Sequence, residues 1–390
     1  MINLIICDEG FEEIVSNSLI KQFENIKIEK IETTKVYFKS GNELEDYEKL
    51  AEISYTFQSA IKVISNIETF IVEEDLEKTK ENLILASKQF ETNIKENKVI
   101  KFKTVKIDSI RKGNHEFKST FLTENISKNT FKEFQRDYKK GDLNIFSYVK
   151  NQEGIIGIDI SGRSLNKRDY KIFLSSNSLR ATIAYNLIEF ANIKKSDTIL
   201  DPFMGAGTIV IEAGLYLSKK SPFFFSKEKF KFTQMIDNDW DSWFKKIDDR
   251  FENNKKEIYG FDSLLKFLKF AQKNAKIADI NKTINLSKVD VDWIDTKFEE
   301  ESIDKIITHP PALTEHGSKT KIIRIFKDFL KRSNEILKPK GIIVIINTEK
   351  SIDEIEKIAK IEQYKILEKK DVYEGKQKLK IIKLIKNKND

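Results

Sequence analysis

A short turn in the second half of this 390-residue chain has the residue types of a ligand-binding loop. The apolar run 198–200 predicts a buried parallel strand, and apolar residues after residue 208 recur at helical spacing. Between them lies a turn that consists of Asp201, Pro202, Phe203, Met204, Gly205, Ala206, Gly207 and Thr208. The glycines permit a tight turn with close approach of the backbone to a ligand. Because the N-terminus of a helix presents unpaired N–H groups, the sequence predicts an anion-binding site here.

Two further carboxylates follow apolar, strand-like runs. Asp262 ends the run 257–262, and Asp290 ends the run 286–290. Asp292 is a rival for Asp290, because the alternation Val-Asp-Val-Asp leaves the strand register open. The glycine turn alone is also consistent with an ordinary turn or a dinucleotide site, but a dinucleotide fingerprint has a third small residue where this chain has Val210. The order and spacing of the acids favour a ligand site over solvated strand ends.

Asp-Pro-Phe before Gly-x-Gly-Thr resembles the opening of class I methyltransferase domains that act on nucleobase amino groups. The resemblance implies that the anion is the methionine carboxylate of S-adenosylmethionine (SAM). It implies that Asp262 accepts hydrogen bonds from the ribose hydroxyls and that Asp290, or its rival, meets the adenine amino group. The implied cofactor-binding residues are Asp201, Pro202, Phe203, Gly205, Gly207, Thr208, Asp262 and Asp290.

The same resemblance assigns the catalytic chemistry to a loop after the fourth strand. In that family the loop reads Asn/Asp/Ser-Pro-Pro-Tyr/Phe, in which the polar side chain and a proline carbonyl accept the amine's hydrogens and the aromatic ring stacks on a flipped-out base. This chain has His309, Pro310, Pro311 and Ala312 instead. His309 can accept through a neutral ring nitrogen, whereas Ala312 cannot stack. Either an aromatic residue from elsewhere, such as one in 223–225, holds the base, or the pocket no longer holds a nucleobase.

Composition restricts the partners and cofactors. The formal net charge of +7 fits a polyanionic partner. The single cysteine, Cys7, excludes an internal disulfide, and with three histidines it leaves no cluster for zinc. Methyl transfer to an amine needs no metal, and none is predicted. No apolar run is as long as a membrane span, and no basic leader precedes the acidic residues at 8–9, so we expect a cytoplasmic protein without a membrane partner.

The N-terminal half carries a basic cluster at 111–119, with the sequence Arg-x-Gly-x-His-x-Phe-x-Ser. Charge alone is equally consistent with a solvated face. The cluster is similar to the signature of THUMP domains, which bind the 3′ end of tRNA or structured RNA. The segment 10–13 resembles the start of the ferredoxin-like unit that precedes THUMP, and 158–170 resembles the family's linker. The resemblance implies RNA contacts through Arg111, Lys112, His115, Lys118, Ser119, Lys167 and Arg168.

The resemblance and the apolar periodicity together predict the domain order. Residues 1–65 are expected to form a ferredoxin-like domain, 66–160 a THUMP domain and 161–178 a linker. From residue 179 to 390, strands and helices alternate, which predicts an α/β, doubly wound, Rossmann-like class I methyltransferase domain. An insert at 219–256, rich in Phe, Lys and Trp, interrupts this alternation and is interpreted as a wall of the RNA cleft.

The family that the chain resembles is that of the THUMP-containing guanine-N2 methyltransferases of tRNA and 23S ribosomal RNA. The compact length of this chain favours the tRNA branch. The resemblance therefore implies SAM-dependent methylation of guanine N2 in tRNA, and it implies that the protein binds the tRNA at its acceptor end. Two alternatives stay open: an rRNA methyltransferase, and an RNA-binding protein that kept the fold after losing its active loop. DNA is not predicted as a partner, because the N-terminal half resembles an RNA-binding module.

Overall fold

The computed structural model describes residues 2–41, 43–137, 139, 141–175, 178–315 and 317–386. The chain divides into two compact units, each made of several segments. Unit 1 comprises the described residues of Met1–Cys7, Leu19–Leu165 and Phe225–Lys246. Unit 2 comprises those of Asp8–Ser18, Asn166–Phe224 and Ile247–Asp390. No helix in the described ranges is both long and apolar enough to cross a membrane.

The first half of the chain contributes an eight-stranded sheet. Its strands are β1 (Asn3–Ile6), β2 (Lys27–Glu32), β3 (Lys35–Lys39), β4 (Lys62–Ile71), β5 (Thr104–Lys112), β6 (Gln135–Arg136), β7 (Leu143–Lys150) and β8 (Glu153–Asp159). The helices of this half are α1 (Glu12–Gln22), α2 (Glu43–Thr56), α3 (Leu76–Glu96) and α4 (Ser119–Asn129). The strand order is β2-β3-β1-β4-β8-β7-β5-β6, and β5 is parallel to both of its neighbours.

Strand β4 joins the two segments for which the sequence predicts separate N-terminal domains. It is 10 residues long and pairs antiparallel with β1 at its start and with β8 along most of its length. Ile64 is paired on both sides, with Leu4 of β1 and with Asp159 of β8. Residues 1–65 and 66–160 therefore contribute to one continuous sheet, because a single long strand crosses the boundary between them.

The middle of the predicted insert belongs to unit 1. Residues 225–246 contain α7 (Phe232–Met235) and most of α8 (Trp240–Asp248). The buried Tyr55 ring lies 4.9 Å from the ring of Phe244 and 5.9 Å from that of Phe230, measured between ring centres. Phe230 and Phe244 of this segment therefore belong to the core of unit 1.

Unit 2 contains a seven-stranded sheet, which confirms the predicted doubly wound α/β fold. Its strands are β9 (Ile199–Asp201), β10 (Ile258–Asp262), β11 (Asn285–Lys288), β12 (Ile303–Thr308), β13 (Leu337–Asn347), β14 (Tyr364–Glu374) and β15 (Gln377–Lys386). Its helices are α5 (Ala181–Ala191), α6 (Thr208–Leu217), α9 (Leu265–Ile277), α10 (Lys319–Ile336) and α11 (Glu349–Ile361). The strand order is β11-β10-β9-β12-β13-β15-β14. The first five strands in this order are parallel, and β15 is antiparallel to both neighbours.

Helix α10 shows why these sequences form these elements. Its buried residues recur at spacings of three, one, three and three, as on the inner face of a helix: Phe326, Phe329, Leu330, Ser333 and Ile336. Ser318 caps the helix by accepting the N–H of Lys321. The apolar face packs into a core with strand residues of β12 and β13, such as Ile306 and Ile343, which are fully buried. This packing fixes the polar face of α10 beside the carboxyl ends of the strands.

Strand β9 lies between β10 and β12 at the centre of the sheet. The chain passes from β9 through α6 to β10 on one side, and later returns to the other side of β9 to form β12. Such a reversal is the topological switch point at which open α/β sheets bind ligands, in the crevice outside the carboxyl ends of the strands. The fold therefore predicts a ligand site among the residues that follow β9, β10 and β12.

Candidate functional site

The ends of the two central strands are joined by a buried carboxyl group. Asp201, the last residue of β9, accepts a hydrogen bond from the hydroxyl of Thr308, the last residue of β12, at 2.6 Å. The same oxygen accepts the backbone N–H of Phe203 at 3.1 Å. Burial raises the pKa of Asp201 to about 7, against the opposing effect of the hydrogen bonds from Thr308 and Phe203. This carboxyl group therefore changes its protonation near neutral pH.

The glycine turn after β9 has the backbone conformation that the sequence predicts. Gly205 and Gly207 have φ angles of +52° and +84°, in the left-handed region. A Cβ atom on Gly207 would lie 2.9 Å from the Cβ of Ala271 in α9, so a side chain there would force the helix and the turn apart. Helix α6 begins at Thr208 without a side-chain cap, which leaves the N–H groups of its first turn available to an anion.

Asp262, the last residue of β10, fastens this turn. One carboxylate oxygen accepts the N–H of Gly205 at 3.1 Å, and the other accepts the N–H of Leu264 at 2.9 Å. Partial burial raises the pKa of Asp262, and the hydrogen bonds from Leu264 and Gly205 counteract that increase. Because each oxygen retains a further lone pair, Asp262 can also accept hydrogen bonds from hydroxyl groups of a ligand.

A cavity of about 530 Å³ lies over these strand ends, a volume typical of small-molecule sites. It brings together seven of the residues that the sequence predicts for the cofactor: Asp201, Pro202, Phe203, Gly205, Thr208, Asp262 and Asp290. Gly207 stands behind the wall, against Ala271. The rival Asp292 also lines the cavity, so the structure keeps both acids at the site.

Two serines of the predicted linker also line the cavity, and sequence reasoning missed them. The hydroxyls of Ser175 and Ser178 are 2.9 Å apart, and Ser178 accepts the N–H of Ser175. Ser175 Oγ would lie 2.8 Å from a Cβ atom on Gly205, so it packs directly on the glycine turn. No sequence signal marks these residues, because their place at the site results from long-range packing.

Helix α10 supplies a charged edge to the same cavity through Lys321, Arg324 and Asp328. Their spacing of three and four residues puts them on one helix face, and that signal is visible in the sequence. Arg324 pairs with Asp328 at 3.4 Å. Burial, followed by the negative charges of Asp328 and Asp290, raises the pKa of Asp292. Asp290 itself is exposed and caps a short 3-10 helix at Val291–Trp293.

The loop after β12 reaches the cavity only in part. Among the described residues, His309 and Pro311 line it, whereas Pro310 and Ala312 are not part of the lining. The Pro310 carbonyl accepts a hydrogen bond at 2.8 Å from the side-chain amide of Asn347, the last residue of β13. The loop is therefore held against the end of the next strand by a buried amide.

The basic cluster of unit 1 is organised around His115. The Arg111 guanidinium donates to the Gly113 carbonyl at 2.9 Å and lies 3.2 Å from His115 Nδ1. His115 Nε2 lies 2.6 Å from the carbonyl of Asn151, which can only accept, so these contacts assign the proton to Nε2. Lys118 is exposed at the start of α4. The cluster thus orients Arg111 through its neighbours.

The remaining residues predicted to contact RNA differ in exposure. Lys112 and Lys167 are exposed, and Ser119 is half-buried. The side chain of Arg168 has 0% exposure, and its Nε and Nη2 atoms each donate to Glu212 of α6 at 3.1 Å.

Arg168 is therefore corrected from a surface contact to a core residue that anchors α6. Tyr170 donates to the same Glu212 carboxylate at 2.8 Å, and the guanidinium lies over the ring of Phe223. Phe223 is 1% exposed, so this ring is committed to the core and does not reach a base. The ion pair with Glu212 offsets the free-energy cost of burying the Arg168 charge, because a buried charge needs a partner.

Comparison with known sequences supports the prediction of a methyltransferase domain in the second half of the chain. The family model described as UPF0020, RMKL-like, methyltransferase domain, matches residues 168–380. A tRNA (guanine(6)-N2)-methyltransferase of Methanocaldococcus jannaschii is 32% identical over 62% of this chain. A ribosomal RNA large subunit methyltransferase K/L of Buchnera aphidicola is 28% identical over 44% of this chain. The match spans 66% of the archaeal relative and 25% of the bacterial one.

Comparison with solved structures extends the likeness to the whole chain. The structure of SMU.472 complexed with SAH superposes with a TM-score of 0.76, covering 100% of this chain and 99% of the other, at 17% sequence identity. At that identity the likeness shows the fold, which is the α/β class I methyltransferase fold. No group of metal-ligating side chains occurs among the described residues.

Proposed function

Because this chain belongs to the UPF0020 family of RMKL-like methyltransferase domains, we propose that it is a SAM-dependent RNA methyltransferase that modifies guanine N2 in tRNA. The single observation that carries the proposal is the cavity at the switch point, where the glycine turn, Asp201 and Asp262 meet. The choice of tRNA over rRNA rests on the 32% identity to the archaeal tRNA enzyme, which exceeds the 28% identity to the ribosomal one.

The residues of the cavity fit SAM. The free N–H groups at the start of α6 suit its carboxylate, and Asp262 has lone pairs for two ribose hydroxyls. Asp290 and Asp292 lie further along the wall, where either can accept from the adenine amino group. When bound, SAM supplies an electrophilic methyl group on a sulfonium, so the protein's main task is to orient the two reactants.

The target amine is proposed to enter beside His309, which lines the cavity. Asn347 holds the Pro310 carbonyl and thereby fixes the loop that presents His309. The buried pair of Asp201 and Thr308 braces β9 against β12, so the cofactor turn and the amine-binding loop keep one spacing. These contacts hold the loop that presents His309 and the turn that is proposed to bind the methyl donor.

Unit 1 is proposed to contain a THUMP domain that binds RNA, with the tRNA acceptor end as its target. The proposed boundaries are 66–160 for THUMP and 1–65 for the ferredoxin-like domain, with the shared strand β4 crossing between them. Arg111, Lys112 and Lys118 are the proposed phosphate contacts. Support comes from the hydrogen bonds that orient Arg111 and from the exposure of both lysines.

Replacing Arg111, Lys112 and Lys118 together by glutamine is expected to weaken tRNA binding ten- to a hundredfold. Each lost phosphate contact removes about 0.7–0.9 from the slope of log affinity against log salt, so the slope should fall by about 2–3. Fluorescence titration of labelled tRNA at several salt concentrations measures both quantities.

The matched control removes three exposed lysines of α3 and the segment that follows it, Lys78, Lys88 and Lys98. This variant loses the same charge and should keep a salt slope within 1 of the wild-type value. Equal slopes for the two triple variants would show that the cluster at 111–119 is only a solvated face.

Transfer of tritium from methyl-labelled SAM into total tRNA tests the proposed function directly. We expect incorporation into tRNA, and N2-methylguanosine in the digested product by mass spectrometry. Incorporation into 23S rRNA alone would shift the assignment to the ribosomal branch. Binding of tRNA without any incorporation would support the RNA-binding alternative, for which His309→Asn with Ala312→Tyr is the variant expected to restore activity.

A further inference from the structure

Helix α9 carries an unbalanced stripe of positive charge. Its lysines, Lys266, Lys269, Lys273 and Lys276, are spaced by three, four and three residues, which places them on one face of the helix. All four are exposed, and the helix contains no Asp or Glu. At 1.5 Å per residue the stripe is about 15 Å long. We call these four residues the α9 lysine stripe.

The stripe is not neutralised by other side chains. Within the part of the chain that the structure describes, no carboxylate forms an ion pair with any of its four lysines. Helix α11 shows the usual arrangement, in which Lys357 pairs with Glu354 and Lys360 with Glu356, each at 3.1 Å. Like charges at these spacings repel and destabilise a helix. A polyanion lying along α9 would remove that repulsion.

Aromatic rings lie between the lysines. The Lys266 ammonium lies 5.5 Å from the ring centre of Phe270, and that of Lys273 lies 4.7 Å from the ring centre of Phe173. The two rings are themselves 5.6 Å apart. Basic side chains interleaved with aromatic faces are the arrangement that binds a nucleic-acid strand, because phosphates and bases alternate along it.

The segment 172–174, which lies beside α9, is held in place by a buried amide. Asn274 is 1% exposed, and its side chain accepts the N–H of Phe173 and donates to the carbonyls of Phe173 and Ala206. This bridge ties the segment to both α9 and the glycine turn. It leaves Ile172 and Leu174 outward, with 63% and 57% of their surface exposed.

The stripe starts at the cavity of unit 2. Leu264, which directly precedes α9, and Phe267, in its first turn, line that cavity, and Leu264 is 54% exposed. A strand that lies along the stripe therefore reaches the edge of this cavity. The exposed apolar residues at this end can contact base faces. The lysines alone do not provide such an apolar contact.

We propose that α9, with the segment 172–174, is a second RNA-binding surface, on which the strand that carries the target base lies with its phosphates against the lysine stripe. The proposal rests on the proposed function for the identity of the polyanion. It adds a contact in unit 2 that is independent of the basic cluster of unit 1. RNA is favoured over an anionic membrane or an acidic protein, because the stripe is linear, interleaved with rings and adjacent to the cavity.

The test replaces all four lysines of the stripe by alanine, which favours helix formation and keeps α9 intact. We expect the slope of log tRNA affinity against log salt to fall by about 3, and the KM for tRNA to rise at least tenfold. The affinity for SAM, measured by calorimetry, should stay within twofold of the wild-type value. The measurements use the full chain throughout.

The control replaces four exposed lysines elsewhere in unit 2, Lys297, Lys350, Lys365 and Lys376. If both quadruple variants show the same salt slope and KM, the stripe is only a solvated face and the inference fails, while methyl transfer by the wild type leaves the proposed function intact. If the wild type methylates no RNA, the proposed function fails, and the tRNA-binding slope alone then decides the stripe. If the alanine variant of the stripe loses binding to vesicles rich in phosphatidylserine but binds tRNA as the wild type does, the assignment to RNA is overturned.

Discussion

Asp262→Ala is expected to weaken SAM binding by roughly 10²–10⁴-fold while the protein keeps its cooperative fold. A hydrogen bond to a charged group contributes about 1.5–3 kcal/mol, so two ribose hydroxyls on this carboxylate contribute about 3–6 kcal/mol. The change also releases the N–H of Gly205, which Asp262 now holds at 3.1 Å, so the glycine turn loses a constraint. Isothermal titration calorimetry with SAM measures the loss.

Two companion variants separate the causes. Asp262→Asn keeps one accepting oxygen but turns an N–H₂ group toward a backbone N–H, so its affinity should lie between those of the wild type and the alanine variant. Asp353→Ala removes an exposed carboxylate from α11 and should leave SAM affinity unchanged. If Asp262→Ala retains wild-type affinity and a cooperative thermal transition, the ribose is bound elsewhere.

Asp201→Asn is expected to remove a pH-dependent loss of stability of about 4 kcal/mol. Burial raises the pKa of Asp201 from an ordinary value of 3.8 to about 7 in the folded protein. Between these values the folded protein holds a proton that the unfolded chain releases, so the free energy of unfolding falls as pH rises from about 4 to about 7. Each unit of pKa difference between the folded and unfolded states corresponds to about 1.36 kcal/mol, so the total is about 4 kcal/mol.

Asparagine suits this position because its amide oxygen can accept the same two hydrogen bonds from Thr308 and Phe203. Urea unfolding at pH 4.5 and pH 8 should therefore show a variant that is more stable than the wild type at the higher pH and similar to it at the lower one. Thr308→Val serves as the control, since it removes one hydrogen bond and keeps the titrating carboxyl group. Parallel pH profiles for wild type and Asp201→Asn would mean that Asp201 does not titrate in this range.

Local chemistry made much of unit 2 predictable from the sequence. Glycines at 205 and 207 are required by positive φ angles, and the apolar rhythm around residues 198–217 produces a strand, a turn and a helix. Asp201 and Asp262 stand at the ends of apolar strands, and parallel strands bring their carboxyl ends to one edge of the sheet. These properties depend on near neighbours, so a sequence pattern carries them.

Tertiary contacts decided the rest, and Arg168 shows the physical reason. In the sequence it stands beside Lys167 and has the same charge, yet Arg168 is buried against Glu212, 44 residues away, while Lys167 is exposed. The pairing of Asp201 with Thr308 spans 107 residues and likewise has no local signal. The sequence by itself determined the α/β rhythm, the glycine turn and the acids that follow the strands. The tertiary structure decided which charges are buried, paired or free to meet a ligand, because burial and pairing are set by segments that are distant along the chain.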